Sequence, residues 1–307
     1  YHSRDTAVQT AVSGYYSGLC QYSRSKTLSR SPARRSLMSA SLIWVCVFTG
    51  IIHATEALVY AFRLAGIRTR HLAISLSLFT SLLLIARLSN MLQAPVLGNM
   101  VDQTLLTNAS IIKLGHTFRV IIGVAGLGAG IGCLLTPLMI PLFQRAILEF
   151  QAQGSGIRLL LSAAIWPRLS DFKAYTRLPK QLAVLGRIKT LPKGFILLNI
   201  LVTAVYAIGV LCSLYAGAML PEFRATAIQL SGLINGIATI LLTVFVDPAL
   251  ARLTDQIMLG TRSVADIHAA IIWLLLGRLI GIIILAQLLF WPFSLYLTEV
   301  TRWLVSL

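Results

Sequence analysis

Residues 195–220 read FILLNILVTAVYAIGVLCSLYAGAML, 26 consecutive positions without a charged side chain. At about 1.5 Å per residue, a helix of that length exceeds a hydrocarbon core of about 30 Å. The run is continuously apolar and lacks the polar-every-second-residue pattern of a barrel strand facing a wet lumen. It predicts a membrane-spanning helix, and the rest of the chain reads in the same way.

The 307 residues are 57% hydrophobic and only 12% charged, and the mean hydropathy is +0.81. The charged share is about half that of ordinary globular domains, which excludes a soluble domain. Lys and Arg number 26 against 10 acidic residues, for a net charge of +16. In a membrane protein such an excess reflects basic loops held against anionic lipid, so nucleic acid is not expected as a partner. Cys46, Cys133 and Cys212 fall in apolar runs and Cys20 in a polar stretch, with no metal-ligand spacing and no disulfide framework. They read as small packing residues.

Apolar runs and breakers give an all-α polytopic protein of six transmembrane helices, over Ser41–Arg63, Leu72–Gln93, Val120–Phe143, Phe195–Leu220, Ala225–Val246 and His268–Trp291. Residues 1–37 are rich in Ser, Arg, Tyr and Gln, and the first methionine is Met38. They read as a disordered basic extension that is not native, with a basic tail lying on the membrane surface as the alternative. The remaining chain divides into a three-helix repeat over 38–143, a basic cytoplasmic or interfacial loop over 144–194, and a second three-helix repeat over 195–307. Within the loop, Ile157–Trp166 is too short to cross and reads as an interfacial helix.

The repeat rests on register. Leu72-Ala-Ile-Ser-Leu-Ser77 aligns with Thr226-Ala-Ile-Gln-Leu-Ser231 at an offset of 154, with four of six positions identical. Pro95, Leu97, Asp102 and Gln103 then return as Pro248, Leu250, Asp255 and Gln256 at an offset of 153. Three spans per copy make the second copy enter from the opposite side, which is the inverted repeat of transporters. Asp102 and Asp255 would then lie on opposite faces, as gates. The loops after spans one, three and five hold 14 basic residues against four on the other side, which puts both termini outside. Counting the six basic residues of the tail narrows the contrast to 14 against 10.

Charges inside the spans are few, and each costs about 2.5–3.5 kcal/mol at a helix centre, so they are functional candidates. His53, Glu56, Tyr60 and Arg63 share one helical stripe. A Glu in a low-dielectric site suits a proton-sensitive, coupling role tuned by His53, and Arg63 suits an anion. The alternative is a buried pair that only fixes packing. Thr80, Arg87 and Asn90 share a face of the second span, with Gln93 beside Pro95. Arg87 suits a phosphate or carboxylate, or else pairs with Glu56. Arg278 lies between Gly277 and Gly281, and Asn235, Thr239, Thr243 and Asp247 recur every fourth residue of the fifth span. Gly126-x-x-x-Gly130, Gly128-x-x-x-Gly132 and Gly277-x-x-x-Gly281 read as close-packing faces. His53-x-x-Glu56 has no second ligand pair, so no metal is expected. No nucleophile–base pair or phosphate loop appears, and neither a cofactor nor an enzymatic activity is expected.

The run His53-x-x-Glu56-Ala-Leu-x-Tyr60-x-x-Arg63-Leu-Ala-Gly-Ile-Arg68-Thr69, with Ala73-x-Ser75-Leu-Ser77-Leu-Phe79 and Arg87-x-x-Asn90-x-x-Gln93-Ala-Pro95, resembles the Amj family of alternate lipid II flippases. The likeness is densest over residues 53–103. It implies a multi-pass protein of the bacterial cytoplasmic membrane that moves the undecaprenyl-linked peptidoglycan precursor to the outer leaflet, in place of MurJ, with that lipid-linked precursor and membrane lipids as its partners. The substrate's pyrophosphate and sugar–peptide head need a polar path through hydrocarbon. Arg63, Arg87, Asn90, Gln93 and Arg278 are the substrate-binding candidates, Glu56 and His53 the coupling candidates. A secondary transporter of a small anionic solute is the alternative, and would close its pocket on the lipid side. A lipid pyrophosphate phosphatase would need a second carboxylate or a nucleophile near Glu56, and the sequence offers none.

Overall fold

The computed structural model describes residues 32–162, 166 and 193–307. The chain forms two compact units, Tyr1–Ile43 and Trp44–Leu307. The described part of the first is the opening of helix α1, and the second is a body of helices with no strand among the described residues.

Six helical stretches are long and apolar enough to cross a membrane, at 40–69, 72–106, 111–153, 194–219, 221–258 and 264–305. Helices answer a lipid environment because every backbone N–H and C=O bonds within the segment. Span one is α1 (Pro32–Leu58) followed by α2 (Tyr60–Thr69), with a break at Val59. Span two is α3 (Leu72–Leu106), and span three is α4 (Ile111–Gln153). A short α5 (Gly156–Leu161) follows, with the Ser155 side chain accepting from the Arg158 amide. Span four is α6 (Lys193–Met219). Span five runs from a 3-10 turn (Pro221–Phe223) through α7 (Arg224–Leu241) and a π-helical turn (Leu242–Val246) into α8 (Asp247–Met258). Span six is α9 (Val264–Ile280), a second π-helical turn (Gly281–Ala286) and α10 (Gln287–Val305).

The helices outrun their apolar stretches. The third span extends from the expected 120–143 to 111–153, and the sixth from 268–291 to 264–305. Polar flanks continue a helix wherever its hydrogen bonds and packing hold, while hydropathy marks only the part inside hydrocarbon. Helix α4 therefore crosses the expected boundary at residue 143, and α1 begins at Pro32, upstream of Met38. Of the expected interfacial helix 157–166, only Ile157–Leu161 is seen as helix, and residues 163–165 lie outside the described residues. The rest of the basic loop up to 192, like residues 1–31, also lies outside them.

Successive spans are antiparallel. The opening of span three meets the end of span four, where a Cβ at Gly115 would come within 2.9 Å of Tyr215. At the other side Ile140 shares an apolar cluster with Phe195 and Ile196. The face at Ile140 and Phe195, the first face, carries the end of span one, the end of span five and the start of span six. The second face carries the end of span two, the start of span five and the end of span four.

Close approach needs the glycines. A Cβ at Gly128 would lie 2.5 Å from the Gly50 carbonyl, and one at Gly132 2.5 Å from that of Ala54, so span three lies directly on the backbone of span one. Gly281 meets the Ile200 carbonyl of span four in the same way, at 2.6 Å. The packing reading holds for these positions, whereas Gly130 faces open space. Spans four and six are each 56% buried along their most apolar stretch, and spans two and five only 17%. Two exposed spans therefore flank a packed core of the other four.

Candidate functional site

The π-helical turn at Gly281 follows directly on Arg278, and widened turns of this kind redirect side chains that a regular helix would hold elsewhere. Asn199 anchors the preceding turn by donating to the Leu274 carbonyl at 3.0 Å. Arg278 ion-pairs with Glu56 of α1 and lies 3.4 Å from Nδ1 of His53, which is itself 3.5 Å from the Glu56 carboxylate. All three side chains are buried or nearly so. The Tyr206 phenol of span four lies close to the same carboxylate. A buried guanidinium without such a partner would be very costly, so this pair is fixed by electrostatics as well as by shape.

Arg63 of α2 donates to Asp247 at 2.9 Å, and its guanidinium lies 5.6 Å from the centre of the Phe79 ring. Asp247 opens α8 directly after the other π-helical turn. Tyr60 lies between the two ion pairs, within the field of both. The sequence stripe His53, Glu56, Tyr60, Arg63 thus survives the break at Val59, but its two charges serve separate partners. Each guanidinium retains a buried Nε–H without an acceptor.

A polar seam runs from span one to span two. The Thr49 hydroxyl donates to Gln93 at 3.0 Å, and the Gln93 amide donates to Asn90 at 3.2 Å. Thr49, His53, Asn90, Gln93, Tyr206 and Asn235 line one small cavity of about 40 Å³. The Asn235 carbonyl oxygen is buried there without a donor. The other lining residues, among them Ile52, Leu97, Ile121 and Leu211, are apolar, so the polar groups form one side of a mixed wall, where unmade hydrogen bonds cost most.

Arg87 stands apart. It is exposed on span two and has no ion pair among the described residues, and Glu56, its alternative partner, is held by Arg278. Its charge still reaches Tyr206, one of the residues that line the cavity. Asp102 meets Arg224 at 2.6 Å on the second face. Asp255 lies on the first face without an ion pair among the described residues.

The structure thus brings His53, Glu56 and Arg278 into one cluster and joins Asn90 to Gln93. It separates Arg63 from them, and holds Arg87 at their edge. Sequence reading counted Asp247 only as part of a polar stripe and Arg224 only as a loop charge, because ion pairing between distant spans leaves no local pattern. Arg119 also went unremarked: its Nε donates to Gln287 at 3.0 Å, and Gln287 donates back to its carbonyl at 2.8 Å. No group of three His, Cys, Asp or Glu side chains suited to a metal occurs among the described residues.

No solved structure matches the chain. A curated relative, the lipid II flippase Amj of Bacillus subtilis (strain 168), is 35% identical over 269 residues, covering 87% of this chain and 99% of the relative. The Amj family profile, described as "Alternate to MurJ", matches residues 48–301 and so reaches all six spans and includes every residue of the Glu56–Arg278 and Arg63–Asp247 ion pairs. The chain therefore belongs to the Amj family.

Proposed function

We propose that this protein flips lipid II, carrying the undecaprenyl-pyrophosphate-linked precursor from the inner to the outer leaflet of the bacterial cytoplasmic membrane. It acts as a transporter without a catalytic step. The relative's name supports the substrate, and Arg87 is the observation in this chain that carries the reading. It is a cation with no ion pair among the described residues, on a span with little burial, and its charge reaches Tyr206 in the wall of a cavity that also offers neutral hydrogen-bonding groups. A pyrophosphate suits the guanidinium bidentately, and the sugar–peptide head suits Asn90, Gln93, Tyr206 and the donor-free Asn235 oxygen. The polyprenyl tail stays in lipid, which an exposed span two allows and the closed pocket of a small-anion transporter would not.

Arg63 and Arg278 complete the anion path when their carboxylates let go, each having an unpartnered Nε–H to offer. Glu56 with His53 is the coupling element, since protonating Glu56 would release Arg278. The two halves work as an inverted repeat. Spans two and three have 35 and 43 residues, spans five and six 38 and 42, and spans two and five share the same low burial. With both termini outside, the first face is cytoplasmic, and Asp102 and Asp255 act at opposite gates.

Expression of the chain in cells depleted of their own lipid II flippases tests the reading. Restored growth together with lipid II accessible at the outer surface is the expected result. Failure of the correctly inserted chain to restore either overturns it.

A further inference from the structure

We propose that Arg70 and Asp255 form, in a second conformation, the ion pair that Arg224 and Asp102 form here, and that the two pairs alternate as the protein opens one face and then the other. The alternation rests on the flippase reading for its purpose. Its geometry stands on the chain itself.

The register that aligns Leu72 with Thr226 also sets Arg70 opposite Arg224, two residues before each, and Asp255 returns 153 residues after Asp102. On the second face Arg224 Nη1 lies 2.6 Å from Asp102 Oδ1, joining the start of span five to the end of span two. On the same side aromatic rings pack span four on span six, with Tyr215 edge-on to Phe290 at 5.7 Å and to Trp291 at 5.3 Å.

The counterpart charges lie at span ends on the first face without joining. Ile67 and Ile257, three residues before Arg70 and two after Asp255, belong to one apolar cluster. The Arg63–Asp247 bridge ties the same two spans at 2.9 Å, seven residues before Arg70 and so about 10 Å deeper in the membrane. Arg70 and Asp255 are both exposed, and neither makes an ion pair among the described residues. Arg70 also occupies a left-handed backbone conformation, φ 61°, where glycine fits without strain and an arginine does not. An arginine at that turn is explained by a need for its charge.

An ion pair reached by water is weak on balance, which suits a latch that must open in every cycle. The latch on the second face is closed and its repeat partner on the first face is open, so the structure represents one of two states that the repeat relates by exchange.

The test uses the full chain in native membranes, with its four cysteines replaced by serine. Arg70→Cys/Asp255→Cys and Asp102→Cys/Arg224→Cys are each treated with a short bis-methanethiosulfonate cross-linker, singly and combined. Both pairs should cross-link, and locking the Asp102/Arg224 positions first should lower the yield at 70/255 by about tenfold or more, as a two-state equilibrium requires. No product at 70/255 while 102/224 reacts, or both links formed freely in one molecule, overturns the proposal. Because the readout needs no lipid II, failure of the flippase reading leaves it intact. As a second measurement, Arg70→Asp should abolish flippase-dependent growth, and Arg70→Asp/Asp255→Arg should restore it; a double variant that stays as impaired as the single one counts against the pairing.

Discussion

Arg278 of span six and Glu56 of span one, 222 residues apart, form an ion pair within the six-helix body, and His53 touches both partners. The pair neutralises two charges that hydrocarbon would otherwise exclude, and it joins the two halves of the chain. Its energetic consequence is sharp, because the penalty for breaking it exceeds the net gain from making it.

Glu56→Gln is expected to strand the Arg278 charge and to destabilise the protein by about 3–5 kcal/mol. The double variant Glu56→Leu/Arg278→Met should recover most of that loss while remaining unable to flip substrate. Thermal unfolding in detergent, read beside complementation, separates the two effects. A single variant as stable as the parent would mean that the pair is not formed.

Arg87→Ala should leave stability unchanged, since the side chain is exposed and supports no other group. Loss of a charge-assisted contact worth about 1.5–3 kcal/mol should weaken substrate engagement roughly 10- to 100-fold. Accumulation of lipid II in the depleted strain, at normal expression, is the readout. Normal growth would remove Arg87 from the site.

The Arg63–Asp247 bridge is unequal, with Arg63 8% exposed and Asp247 50%. Asp247→Asn leaves a buried guanidinium without its countercharge, whereas Arg63→Met leaves a carboxylate that water reaches. The first should cost more stability than the second, by at least about 1 kcal/mol. Denaturant midpoints of the two variants in the same detergent decide the order.

Gly128→Val drives a side chain into the backbone of span one and should cost about 1–3 kcal/mol or prevent folding. Gly130→Val, two residues along the same helix, meets open space and should be tolerated. Monodispersity and melting temperature after purification distinguish them, and equal behaviour would contradict the packing of spans one and three.

Six spans, their order and the charges inside them were legible in the sequence, because a run such as 195–220 has one physical solution in lipid. Hydropathy is a local property, and so is the stripe that groups His53, Glu56, Tyr60 and Arg63 on one side of a helix. Helix ends were legible only to within a turn or more, since polar flanks carry no transfer penalty to mark them. Pairing was not legible at all. That Glu56 takes Arg278, that Arg63 takes Asp247 and that Arg87 takes neither follows from which spans adjoin, and the glycines at 128, 132 and 281 and the π-helical turns beside Arg278 and Asp247 set that. The sequence determined which charges enter the membrane. The tertiary structure decided which are neutralised there, because Coulomb attraction depends on distances that only the packed helices define.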